Sequence, residues 1–267
     1  MLHVSIVIYK HLFSETKTLI DSLRKSGIVD KIFIIDNSPV PSCDFKHEGL
    51  TYIFTGKNIG YGAAHNIALR KTIAAGVPYH LVVNPDITMD AYILKEMVDY
   101  MEQNKEIGHL MPKVIYPSGE TQYLCKLIPA PSDLIFRRFL PKKWTEKRMS
   151  RFEMRNTGYD KIIDVPYLSG CFMLLRTEAL KKAGLFDERF FLYPEDIDLT
   201  RRIGAYYRTV FYPPVSVVHH HAQESYKSLY MMFVHIWNLK KYFNKWGWFF
   251  DKQRKKINQQ YIKQYNL

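Results

Sequence analysis

Over its first hundred residues the chain alternates short β-branched runs with amphipathic helical stretches, and this rhythm constrains the fold more than any other feature. Strands are expected at Val4–Ile8, Ile32–Asp36, Leu50–Phe54 and His80–Val83. Helices fit between them at Glu15–Lys25, Gly62–Ala75 and Ala91–Gln103, the last carrying Leu94, Met97, Val98 and Met101 at helical spacing. βαβ order of this kind builds an α/β domain with a Rossmann-like, mostly parallel central sheet flanked by helices. Beyond Pro117 the rhythm breaks. Pro129, Pro131 and Pro141 punctuate a basic stretch from Arg137 to Arg151, so residues 117–160 read as an insertion or mobile loop. Regular structure resumes over Val165–Arg176. Thr177–Ala183 reads as a short helix with Thr177 as N-cap and Gly184 past its end. A second short helix after Asp196 carries Leu199 and Ile203, Val215–Val218 is a further strand, and from Tyr226 the sequence turns helical, aromatic and basic. The expected division is a catalytic-size domain over residues 1–225 and a helical, basic-aromatic, membrane-proximal extension over 226–267.

Three cysteines, Cys43, Cys125 and Cys171, form no close pair, which argues against a disulfide framework or a Cys-rich zinc site and for a reducing compartment. The first residues lack a basic region and cleavage site of secretory type, and the apolar run Ser228–Leu239 is shorter than the ~20 residues that span a bilayer. Membrane contact is therefore expected to be peripheral. The formal charge of +12 falls almost wholly in Arg137–Arg151 and Lys240–Leu267. In the second segment lysines interleave with Trp246, Trp248, Phe249 and Phe250, a pattern that suits an anionic membrane surface, although the same aromatics would also pack a basic amphipathic helix onto the domain. Nucleic acid is not expected, because no RNP, helix-turn-helix or zinc-finger pattern accompanies the charge.

Ligands of open α/β sheets bind beyond the carboxyl ends of strands. Two expected strands end in Asp36-Asn37-Ser38 and Asn84-Pro85-Asp86. Asp36 could accept from a base or ribose and Asp86 could hold a hard divalent cation; Asp and Asn also simply start turns. Gly56-Lys57-Asn58-Ile59-Gly60-Tyr61-Gly62 follows a strand and opens a helix, yet it is neither a dinucleotide fingerprint nor a P-loop, which removes hydride transfer and P-loop chemistry. The densest segment, Phe186 to Leu199, runs aromatics into Glu195, Asp196 and Asp198. Acids favour a first helical turn, but an apolar setting also raises a carboxylate's pKa and suits it to general-base work. His219-His220-His221 ends a strand, where side chains alternate, so at most one or two can serve as ligands.

Taken in order, Val-Ser-Ile-Val-Ile-Tyr, Ile-Ile-Asp-Asn-Ser, Lys-Asn-Ile-Gly-Tyr-Gly, Val-Asn-Pro-Asp, Leu-Ser-Gly-Cys-Phe-Met-Leu-Leu-Arg, Phe-Asp-Glu-Arg-Phe-Phe-Leu-Tyr-Pro-Glu-Asp-Ile-Asp-Leu and Val-Val-His resemble the inverting family 2 glycosyltransferases of GT-A fold. The similarity is to the rhamnosyltransferase-like members of bacterial polysaccharide assembly, collinear from Val4 to about Ser225. The resemblance implies that Tyr9 and Asp36 hold the nucleobase and that Asn58 and Gly60 lie near the donor. It puts Asn84-Pro85-Asp86 in the place of the DxD motif, with Asp86 and His219 holding a Mg²⁺ or Mn²⁺ ion on the donor diphosphate. Asp196 would deprotonate the acceptor and Glu195 would orient it. Two departures stand out: Asn84 replaces the first Asp of the metal motif, and Lys10-His11 replaces the Asn that often follows strand one.

The resemblance favours dTDP-rhamnose as donor, with UDP-hexoses next, and a lipid-linked glycan acceptor of O-antigen or capsule type at the cytoplasmic face of the plasma membrane. One base without a second catalytic carboxylate fits a single inverting displacement rather than glycoside hydrolysis. A noncatalytic carbohydrate or membrane-surface binding protein has no need of Asp86, Asp196 and His219 together. A nucleotidyltransferase usually needs a Gly-rich basic loop where this chain has Tyr9-Lys10-His11.

Overall fold

A computed structural model of the protein describes residues 1–46, 49–133, 142–220 and 229–267. The expected alternation is present: β1 (Leu2–Ile8), α1 (Phe13–Lys25), β2 (Val29–Asp36), β3 (Leu50–Phe54), α2 (Tyr61–Ala74), β4 (Tyr79–Val83), β5 (Ile87–Thr88) and α3 (Tyr92–Gln103). The chain continues through β6 (Ile107–Ile115), β7 (Cys125–Lys126), α4 (Lys142–Phe152), β8 (Ile163–Asp164), β9 (Tyr167–Leu168) and β10 (Phe172–Arg176). It ends with α5 (Thr177–Ala183), α6 (Glu195–Ile203), β11 (Arg208–His219), α7 (Leu229–Trp246) and α8 (Lys252–Tyr265).

One sheet is ordered β3-β2-β1-β4-β10-β6-β11-β5, with β8 also on β11. Its β3-β2-β1-β4 half is parallel, and β10 inserts antiparallel between β4 and β6. Both faces are covered, so strands read as near-continuous apolar runs. Leu2, Val4, Ile6 and Ile8 of β1 enter the core against α1 and α3. The opposite face meets α2, which approaches closely through Ala64 and Ala68 packed on Phe33 and Ile35.

Several local expectations are corrected. Thr177 is the first helical residue of α5 rather than its cap; Arg176 is extended and takes the cap position, while the Thr177 hydroxyl donates to the Val77 carbonyl at 2.9 Å. The next helix begins at Glu195, which places Glu195 and Asp196 in its first turn. Val215–Val218 is only the end of β11, whose register shifts between Tyr212 and Ser216, where Pro213 and Pro214 cannot donate to the ladder. The stretch read as an insertion or mobile loop is built into the fold over its described part: α4 and the turn after it send Phe152, Met154 and Tyr159 into the core. Arg137 and Arg138 of the basic stretch, His221 and the expected domain boundary at residues 225–226 lie outside the described residues.

The C-terminal helices are fastened to α6. Arg201 and Asp251, both almost fully buried, form a bidentate pair at 2.7 and 2.8 Å, and the Arg201 guanidinium stacks 3.9 Å from the Trp246 ring. Asp251 also caps α8 by accepting the Arg254 N–H. Among the described residues no helix is long and apolar enough to cross a membrane. Removing one partner of a buried pair strands the other charge, so Arg201→Ala is expected to cost about 3–5 kcal/mol in denaturant unfolding at neutral pH. A loss under about 1 kcal/mol would show that the C-terminal helices are held by other contacts.

Candidate active site

The acidic segment sorts its three carboxylates into different tasks. Asp198 is fully buried and already engaged by Arg202 (2.8 Å), Lys245 (2.5 Å) and the Trp246 indole N–H (2.8 Å), so it is an anchor. Asp196 lies under β9 and β10. Its Oδ2 accepts the Gly170 N–H at 2.8 Å and the Tyr167 hydroxyl at 3.2 Å, and its Oδ1 accepts the Ile197 N–H at 2.7 Å. Burial pushes its pKa up to about 6, opposed by the Gly170 N–H and by the charge of Lys126. Glu195 is buried too, and its Oε2 has no hydrogen-bond partner. Burial first, and then the charge of Asp196, raise it well above the ordinary carboxylate range. Both carboxyls are thus raised by burial, Glu195 with the charge of Asp196 adding to it and Asp196 with hydrogen-bond donors opposing it.

The Gly170 peptide connects this acid to the start of α2 and the end of β4. Its carbonyl lies 2.8 Å from the Tyr61 hydroxyl, which is also 3.0 Å from the Asn84 side-chain amide. Antiparallel pairing of β10 with β4 puts these groups together, because Phe172 opposes Val83 and the Asn84 N–H bonds to the Cys171 carbonyl at 2.9 Å. A Cβ on Gly170 would sit 3.1 Å from that of Asp196, so the close approach depends on glycine.

Asp86 and His219 meet through a second pairing. β5 runs antiparallel to β11 with Ile87 opposite His219, and the His220 N–H bonds to the Asp86 carbonyl at 3.0 Å. His219 Nε2 then lies 3.3 Å from Asp86 Oδ1 and 3.5 Å from the Asn84 amide. Gln122 fixes the imidazole: its Nε2 donates to the His219 carbonyl at 2.9 Å, which leaves its Oε1 to accept the Nδ1–H at 3.0 Å. Nε2 is the remaining lone-pair atom of the neutral ring, and a lone pair facing a carboxylate needs a proton or a cation between them. Adjacent ligands of one octahedral cation lie about 3 Å apart, so the pair fits a shared divalent ion. Among the described residues no three His, Cys, Asp or Glu side chains gather as ligands, so Asp86 and His219 would supply only part of a coordination shell. His220 instead points away, 3.0 Å from the Thr88 hydroxyl.

The residues expected at the nucleobase lie along the parallel half. Tyr9 is exposed beside Lys10, whose ammonium lies 5.3 Å from the Tyr9 ring. Asp36 is fully buried, and its oxygens accept the Ser38 N–H (2.8 Å), the Ser42 N–H (3.1 Å) and the Tyr52 hydroxyl. Burial alone would raise it, but these bonds more than offset that and hold it below the ordinary value. In this arrangement Asp36 fastens the loop that follows β2. Asn58 Oδ1 accepts the Gly60 N–H at 3.0 Å. Gly60 has φ +93° and a Cβ there would lie 2.5 Å from the Phe191 carbonyl oxygen, which accepts the Tyr61 N–H at 3.0 Å.

Sequence reasoning missed Tyr61, Gly170, Tyr167 and Gln122. The first two stand inside quoted motifs, whereas Gln122 carries no local signal. Gln122→Leu keeps the bulk and removes the constraint on the imidazole, so Mn²⁺ affinity is expected to fall about 10–100-fold in calorimetric titration. Unchanged affinity would remove His219 from the ligand set.

No family model matches the chain. Over 190 residues, 64% of its length, it is 32% identical to the N-acetylglucosaminyl-diphospho-decaprenol L-rhamnosyltransferase of Mycobacterium tuberculosis, of which it covers 59%. The chain thus spans about three fifths of that relative. Over 252 residues it is 27% identical to rhamnosyltransferase WbbL of Escherichia coli, covering 90% of this chain and 91% of the relative. Among solved structures, GalNAc-T7 with UDP, GalNAc and Mn²⁺ superposes with a TM-score of 0.59 at 14% identity, over 82% of this chain and 42% of that one. Residues 1–349 of S. aureus TarS superpose with a TM-score of 0.54 at 16% identity, over 82% and 60%. At such identities the structures speak for the fold alone, which is GT-A. The chain is thus similar in sequence to rhamnosyltransferases and has the GT-A fold.

Proposed function

We propose that the protein transfers a sugar, with inversion, from a nucleotide-sugar donor to a lipid-linked glycan. The observation that carries this reading is the buried Asp196, held by the Gly170 N–H and joined through the Gly170 peptide to Tyr61 and Asn84 beside the Asp86–His219 pair. Asp196 removes the acceptor hydroxyl proton as the new bond forms. Glu195, with an unpartnered Oε2, orients that hydroxyl. Asp86 and His219 would hold a Mg²⁺ or Mn²⁺ ion, which when bound offsets the charge growing on the departing diphosphate. Tyr9, Asn58 and Gly60 line the nucleotide side, Asp36 braces it from below, and Asn84 stands next to the diphosphate. A single base and no second nucleophilic carboxylate support one displacement with inversion.

The names of the curated relatives favour L-rhamnose, hence dTDP-rhamnose, and the mycobacterial relative's name specifies a decaprenol diphosphate-linked substrate. This supports a polyprenyl-type acceptor; synthesis of an O-antigen or capsule, and work at the inner face of the plasma membrane with the basic tail on anionic lipid, complete the reading. A UDP-hexose donor is the second reading, favoured by the hexosyltransferase named among the relatives.

The test is nucleoside diphosphate release from a panel of sugar nucleotides with Mg²⁺ or Mn²⁺. dTDP-rhamnose is expected to turn over fastest, and preference for a UDP-hexose would transfer the assignment to the second reading. Asp196→Asn should lower turnover by ~10²–10⁴-fold with donor binding largely kept. Near wild-type turnover in a folded variant would mean that another group is the base. Asp86→Ala should weaken donor binding in the presence of metal and matter little without it; equal titrations of the two proteins in Mg²⁺ would take Asp86 out of the metal site.

A further inference from the structure

Helix α7 is apolar on two opposite sides, and only one of them is used by the fold. The inner side carries Asn238, Tyr242 and Phe243, all buried, together with Trp246. Three positions spaced three apart along this helix, His235, Asn238 and Lys241, grip the strap that leads into the catalytic acids. The His235 and Tyr193 rings lie 4.4 Å apart, Asn238 Oδ1 accepts the Phe191 N–H at 2.8 Å, and Lys241 Nζ donates to the Arg189 carbonyl at 2.7 Å. The outer side repeats Phe233, Ile236, Trp237, Lys240 and Asn244 on one helical stripe, and all five are exposed. Phe233 is 66% and Trp237 58% exposed. At the C-terminal end of the stripe the Trp248 indole donates to Asn244, and Phe249 and Phe250 follow at 76% and 95% exposure. A groove of about 470 Å³ opens between Phe191 of the strap and Phe233, Ile236 and Trp237 of the stripe.

Contiguous exposed aromatics of this extent mark a surface that meets a partner. Charge selects the partner. Across residues 229–267 the sole acid is Asp251, consumed by Arg201, while Lys240, Lys252, Lys255 and Lys256 are exposed. Two copies facing each other here would oppose like charges. A surface of lipid phosphates matches the lysines and admits the rings at headgroup depth.

We propose that the outer stripe of α7, continued by Phe249 and Phe250, is the face that docks on an anionic lipid bilayer, with the catalytic strap held against the opposite side of the same helix. The proposal deepens the membrane contact of the reading above by assigning it to particular residues. It also separates the tail's aromatics: Trp246, expected from sequence to lie at the interface, binds Asp198 and stacks on Arg201, so it belongs to the fold.

The experiment is co-sedimentation of the full chain, without donor, with vesicles of phosphatidylglycerol and phosphatidylcholine and with phosphatidylcholine alone. Because no turnover is involved, failure here leaves the transfer reading standing, and failure of donor turnover leaves this one standing. Binding is expected only to the anionic vesicles, weakened by added salt. It should fall at least tenfold in Phe233→Ser/Trp237→Ser and again in Phe249→Ser/Phe250→Ser, all exposed positions whose unfolding midpoints should be unchanged. Salt-insensitive binding to phosphatidylcholine, or equal binding by the variants, would overturn the proposal. So would sedimentation velocity showing a wild-type dimer that Trp237→Ser dissociates, since the stripe would then be an interface between copies.

Discussion

The Gly170 peptide is the group on which the site depends. Its N–H holds Asp196 and its carbonyl faces the Tyr61 hydroxyl, so one peptide between β9 and β10 spaces the proposed base from Tyr61. A buried carboxylate normally either neutralises or finds donors. Asp196 finds three and still remains raised, because burial outweighs them. The next-door Glu195 has an Oε2 without a hydrogen-bond partner and is raised by burial and by the charge of Asp196. Two adjacent acids of one helix turn thereby meet different surroundings.

Around that unit the fold brings together groups that are far apart in sequence. β5–β11 pairing juxtaposes Asp86 and His219, and Gln122 sets the tautomer of the latter. From the other direction α7 secures the strap, whose Phe191 carbonyl caps the donor loop at Tyr61, and α6 is anchored behind the acids by Asp198 and Arg201. The C-terminal helices are therefore structural parts of the site as well as the carriers of an exposed apolar stripe.

Much of the parallel half was legible because helix and strand periods differ and its strands are β-branched. β6 was not: Gly108, His109 and Pro112 interrupt the pattern, and its strand state comes from its place between β10 and β11. The antiparallel insertion of β10 was equally hidden, since strand direction is decided by long-range pairing. Asp196, Asp86 and His219 could be singled out as candidates because strand ends and an acid-aromatic cluster are local signals. Their company could not. Gln122 stands 97 residues from His219, and Tyr61 reaches Gly170 across 109. Asp36 shows the converse, a strand-end acid whose hydrogen bonds serve its own loop, as turn-forming Asp residues do. Trp246 and Trp248 read alike in sequence, yet only the first meets a buried carboxylate.

The central claim is that Asp196 acts as a buried, ionised base. The pH dependence of kcat/KM for sugar transfer by the wild-type protein tests it most directly. A base must be deprotonated to act, and burial has raised this one, so the rate should fall as pH drops through about 6, well above the ordinary carboxylate value of about 3.9. A rate that stays level down to pH ~4.5, with the protein still folded, would contradict the account.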